Sequence, residues 1–130
     1  MSAGLEKNGV RVIESVEIAS TFWSRMTGLM GRCPLAPGCA LLIPHCSSVH
    51  TFFMRFHLDL IFLDSVGMVV KVVRNVAPYR IVSGGMRART TVEVASGWLA
   101  ATVLQPGDAI TLSGESRPRT EASRTEYPTS

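Results

Sequence analysis

Apolar positions repeat along this chain at two different spacings, and the change between them sets the predicted elements. Val10, Val12, Val16 and Ile18 share one parity, with Arg11 and Glu17 among the opposing residues. Such alternation predicts a strand over residues 10–18 with one buried face, Glu14 marking a break in the pattern or a bulge. From Ser20 the period lengthens, and Phe22, Met26, Leu29 and Met30 recur three or four residues apart with Trp23 beside them. That spacing predicts a short amphipathic helix over residues 20–31, capped by Ser20 or Thr21 and stopped at Gly31.

Further along, the apolar runs become short and β-prone. Residues 39–43 predict a buried strand ended by Pro44, and residues 45–48 a polar loop. Residues 49–54 and 58–63 predict two strands or one kinked strand. Ser65-Val66-Gly67 forms a tight turn into 68–73, its hairpin partner. Residues 91–94, 99–104 and 109–112 supply the last strands, with Pro106-Gly107-Asp108 as a turn. Between them, residues 74–90 are aperiodic and hold Pro78, Gly84 and Gly85. A connection of that length is more often functional than merely connecting.

One short helix with many short strands predicts a mainly β domain, a β-sandwich or barrel-like fold over residues 10–113. Residues 1–9 are expected to be a flexible lead, and 114–130, nearly devoid of apolar side chains, a disordered tail. The length of 130 residues, 46% of them hydrophobic, suits a single core. No run approaches the roughly eighteen apolar residues of a membrane span. The first residues carry no apolar leader segment, so the expectation is a cytoplasmic protein.

Charge narrows the function classes. The net charge is +3, and beyond residue 113 three arginines offset three glutamates, so the excess belongs to the body. There, Lys71, Arg74, Arg80, Arg87 and Arg89 follow one another with no acidic residue between Asp64 and Glu93. Arginine suits bidentate binding of carboxylate or phosphate. Arg74, Tyr79, Arg80, Arg87 and Arg89 are therefore the candidate ligand-binding residues, facing an unknown protein partner or a small anionic ligand. Tyr79 alone interleaves an aromatic with these cations, which disfavours nucleic acid. Gly84-Gly85 is no phosphate loop, but it lets backbone approach a neighbour closely.

A second cluster offers different chemistry. All the cysteines and histidines lie between positions 33 and 57. His45, Cys46 and His50, with Cys39, His57 or Asp59 as a fourth ligand, have the ligand types for zinc, although their spacing matches no standard zinc module. Cys46 is also a candidate nucleophile, with His50 as the better-placed base, His45 as the other, and Asp59 or Asp64 as orienting group. The competing reading makes the cysteines small buried thiols, since their spacings fit neither a disulfide set nor a C-x-x-C motif. Asp59, inside an apolar run, is expected to be buried and paired with Arg55 or Arg25. Asp64 and Asp108 read as turn residues, and Arg32 could neutralise Glu93.

Several segments together resemble a family of uncharacterised proteins, the domain of unknown function 192 (DUF192). They are Arg25, Gly28-Leu29-Met30, Arg32, Leu35, Gly38, Leu41-Leu42-Ile43, Thr51-Phe52-Phe53-Met54, Leu58-Asp59, Phe62-Leu63-Asp64 with Gly67, Val92-Glu93-Val94, Gly97 and Gly107-Asp108. The resemblance covers residues 10–112 and implies a compact, mostly β sandwich-like domain with a short helix. It implies no activity. The chain departs from it at Phe53-Met54-Arg55-Phe56, where many members carry Trp-Met-Lys-Asn-Thr, and at His57, where proline is common. The sequence thus reads as a non-catalytic β domain, without a cofactor, binding through residues 74–90. The alternative is a metal-binding protein or enzyme centred on His45, Cys46, His50 and Asp59.

Overall fold

The computed structural model describes residues 3–18, 38–51, 56–99 and 103–113. The predicted helix over 20–31, Cys33, the segment 52–55 and the tail 114–130 lie outside the described residues.

The described chain is built of strands, β1 (Gly4–Lys7), β2 (Val10–Ile13), β3 (Ser15–Ile18), β4 (Cys39–Pro44), β5 (Ser48–His50), β6 (Leu58–Leu63), β7 (Val69–Val76), β8 (Ile81–Ser83), β9 (Thr90–Ala95) and β10 (Ile110–Ser113). They form a three-stranded sheet β10-β1-β2, a five-stranded sheet β3-β4-β9-β6-β7 and a two-stranded sheet β5-β8. The fold is mainly β as the pattern predicts, with several sheets and, among the described residues, no closed barrel.

The large sheet is the middle layer. One of its faces, with Leu42, Ile61, Val92 and Val94, packs on Leu5, Ile13 and Ile110 of the three-stranded sheet. Its other face, with Leu58, Leu60 and Phe62, packs on Val49 and Val82 of the two-stranded sheet. Every residue of β6 is buried as a result. A strand covered on both faces reads as a continuous apolar run, which is why 58–63 shows no alternation.

Three sequence expectations change. The run 10–18 is two strands: β2 pairs with β1, and after a bend at Glu14 β3 pairs in parallel with β4. The corner shifts the buried parity, so Ile13 and Val16 are buried while Val10 is 64% exposed. The expected strand over 99–104 is absent from its described part, where Leu99, Val103 and Leu104 lie in turns and bends. The sequence reading also starts the domain at Val10, whereas Gly4–Lys7 forms β1 at the centre of its sheet with Leu5 buried.

The turns follow their residues. Asp64 Oδ1 accepts the N–H groups of Val66 (3.0 Å) and Met68 (2.9 Å), closing the β6–β7 hairpin at Gly67, φ 90°. Asp108 Oδ2 accepts Gln105 N–H at 2.8 Å and Lys7 Nζ at 3.2 Å. The Gln105 amide, with help from Lys7, holds this carboxyl below the usual aspartate range.

Candidate functional site

The basic run does not act as one patch. Arg74 lies on β7, where the register slips between Leu58↔Val76 and Leu60↔Val73 and leaves an extra residue on β7. Asn75 takes up the bulge at φ 57° and gives its N–H to Asp59 Oδ1 at 2.7 Å. Asp59 Oδ2 accepts Gly97 N–H at 3.1 Å and faces the Arg74 guanidinium at 3.4 Å. Arg74 also donates to the Leu99 carbonyl. Asp59 is 1% exposed, so the expected burial and pairing hold. Its partner is Arg74, a cation the sequence reading assigned to ligand binding; Arg55 and Arg25 lie outside the described residues. This group ties β6, β7 and the turn after β9 together.

Residues 77–89 carry what remains of the run, and Thr51 sets their shape. Its buried hydroxyl donates to Ala77 O at 2.7 Å and accepts Arg80 N–H at 2.9 Å. Its backbone adds Thr51 N–H to Arg80 O and Tyr79 N–H to Thr51 O, each 2.9 Å. The clamp holds Tyr79 at φ 66° and aims the turn at solvent. Sequence reasoning missed this role. A threonine beside the strand–loop boundary, with Pro78 in the far segment, was the available signal.

β8 follows, inside the stretch read as aperiodic. It pairs with β5 in the register Val49↔Val82 and Ser48↔Ser83. Arg80 O and Gly84 N–H face β5. Strand alternation therefore turns the backbone groups of Ile81 and Ser83 to the outer edge, where no further strand pairs among the described residues. Lys71 Nζ reaches across to Ser83 O at 2.8 Å. Around that edge Tyr79 (71%), Ile81 (71%) and Met86 (93%) are exposed large hydrophobic side chains, beside exposed Arg80 and Arg87. The edge is pressed against the core at Gly84. A Cβ there would fall 2.4 Å from the Phe62 ring and 2.7 Å from Ala88 Cβ.

Arg89 belongs elsewhere. Its N–H bonds Leu63 O at 2.7 Å, its carbonyl accepts Cys46 N–H at 2.9 Å, and its Nη1 donates to Met86 O and Ala88 O. It lies with His45 on the rim of a cleft of about 470 Å³ between the large and three-stranded sheets.

The second cluster is spread out. His45 is an exposed turn residue at φ 55° after Pro44, and His50 is exposed on β5. Cys46 is buried, its thiol donating to Ser48 O at 3.1 Å and its carbonyl accepting the Thr91 hydroxyl at 3.0 Å. Asp59 is committed to Asn75, Gly97 and Arg74. Among the described residues, no three His, Cys, Asp or Glu side chains converge as metal ligands would. None of the described residues forms a helix long and apolar enough to cross a membrane.

Comparison with known proteins agrees with the architecture. The DUF192 family model, described as an uncharacterized ACR, matches residues 4–112. A UPF0127 protein of Pyrococcus abyssi is 33% identical over 111 residues, 81% of this chain and 92% of the relative. Two crystal structures are similar in fold. A protein of unknown function from Novosphingobium aromaticivorans DSM 12444 has a TM-score of 0.70 at 21% identity, covering 84% of this chain and 82% of that one. A protein of Sinorhizobium meliloti 1021, named as a candidate transcription regulator, has a TM-score of 0.71 at 22% identity, covering 85% and 91%.

Proposed function

The chain belongs to the DUF192 family, and from its own geometry we propose a non-catalytic binding domain that receives an acidic, extended segment of a partner protein along the outer edge of β8. The observation that carries this reading is the coincidence, on β8 and the segments that flank it, of three exposed hydrophobic side chains with two exposed arginines. Added strands gain affinity from main-chain hydrogen bonds and specificity from alternate side chains. Here the Ile81 and Ser83 backbone would supply the first. Tyr79, Ile81 and Met86 would meet apolar residues, and Arg80 and Arg87 acidic ones. Lys71, which guards Ser83 O, would turn to a partner carboxylate and release that acceptor. Charged side chains on an edge also protect it from unselective pairing.

Titration with an acetylated Glu-Val-Glu-Val-Glu-Val peptide should shift the amides of residues 79–87, with affinity falling as salt rises. The same peptide N-methylated on alternate amides should bind weakly, and so should the Arg80→Ala/Arg87→Ala double variant. Equal binding of the methylated peptide would overturn strand addition. The name of the Sinorhizobium relative makes a DNA duplex the control of choice. A duplex that outcompetes the peptide would transfer the surface to nucleic acid.

A further inference from the structure

Arg89 and His45 line a cleft whose lining includes none of the residues that the partner-binding reading uses. Its floor is a gap in the main core. Leu5, Leu42, Leu63 and Ile110 line it, each no more than 6% exposed, and Leu112 completes the wall from β10. Its volume of about 470 Å³ falls within the usual range for small-molecule sites, which are mostly apolar with few polar groups. The rim carries those groups: His45, Asp64, Arg89, Thr90 and Thr111.

Two of them are fixed in place. Arg89 is held at both backbone groups, by Leu63 O and Cys46 N–H, and its Nη1 is fastened to Met86 O and Ala88 O. Among the described residues its remaining guanidinium N–H groups meet no acceptor. Asp64, also on the rim, has Oδ1 accepting the N–H groups of Val66 and Met68, which holds its carboxylate in the turn. The polar rim therefore presents the remaining N–H donors of Arg89 together with the Asp64 carboxylate, above a floor of leucine and isoleucine.

We infer that this cleft is a site for a small amphipathic anion, an aliphatic chain ending in a carboxylate. The chain lies on Leu5, Leu63 and Ile110, and the carboxylate takes the free donors of Arg89. Such charge-assisted hydrogen bonds give orientation as well as affinity.

Decanoate below its micelle concentration is the probe, with decanol and acetate as controls. Decanoate should shift the amides of Leu63, Arg89 and Ile110. Decanol and acetate should each bind at least about tenfold more weakly, since one lacks the charge and the other the chain. Arg89→Gln should weaken decanoate by about tenfold and leave decanol unchanged. Leu112→Trp should fill the cleft and abolish decanoate binding; its melting temperature reports whether the fold survives, and Arg89→Gln decides the matter if it does not. The inference is overturned if decanoate leaves these amides unmoved, if its shifts fall only on residues 79–87, or if Arg89→Gln binds decanoate as the wild type does.

Discussion

Asp59 shows how a single carboxylate can organise three segments. It accepts from the Asn75 and Gly97 amides and faces Arg74 while almost fully buried, so its removal leaves those two amides without an acceptor and Arg74 without its counter-charge. Asp59→Ala should cost about 3–5 kcal/mol in urea unfolding, the range for breaking a buried pair. Asp64→Ala should cost about 1 kcal/mol, because its turn amides can turn to water. Equal, small losses would show that the Asp59 cluster is not structural. Asp108 gives a pH signature instead. Its folded pKa is lowered, chiefly by the Gln105 amide, so its contribution is complete above the unfolded value of about 3.9 and fades as pH falls through the folded value. Asp108→Asn should thus lower the urea midpoint near neutrality, and by progressively less as pH falls below the unfolded value. A constant difference across that range would exclude the linkage. Burial of Asp59 was legible because a carboxylate in an apolar run must find partners. Their identity was not, because Arg74 reaches it through a bulge and looks in sequence like one more loop cation.

At the scale of elements, the seating of β8 decides whether the proposed edge exists. Gly84 brings that strand's end onto the Phe62 ring with no room for a methyl group. Gly84→Ala should cost about 1–3 kcal/mol by overpacking and should weaken the Glu-Val peptide as the edge lifts away. Thr51→Val, which keeps the shape and loses the hydroxyl clamp, should cost about 1–3 kcal/mol from the unsatisfied Ala77 and Arg80 groups. Unchanged stability in both would mean that the segment is not held as described. β4, β6 and β9 were legible as apolar runs, and the β6–β7 hairpin as a run, a turn and a run. β8 was not, since three residues between proline and glycine signals leave no period to read. The corner at Glu14 was seen as a broken pattern, but one parity cannot reveal that the chain changes sheets. The sequence named residues on both candidate surfaces, listing Arg89 with Arg80 and Arg87 and His45 with Cys46. Only the packing of sheets brings Arg89 and His45 to one cleft.

For the whole molecule, protection should be graded by layer. Amides of β6 and β9, central in the sheet and covered on both faces, should exchange with solvent most slowly, and those of β5 and β8 earliest. Hydrogen exchange that ranks β8 with β6 would contradict the three-layer arrangement. The pairing of β1 with β10 has a consequence in time. Gly4 sits opposite Ser113, 109 residues later, and β1 is also the strand on which β2 aligns. During synthesis β1 leaves the ribosome early and waits with one edge and one apolar face uncovered until β10 emerges. At about 5–20 residues per second that interval lasts several seconds at least. A nascent chain stalled before Ile110 should therefore bind holdase chaperones, and one stalled after β10 has cleared the exit tunnel should release them.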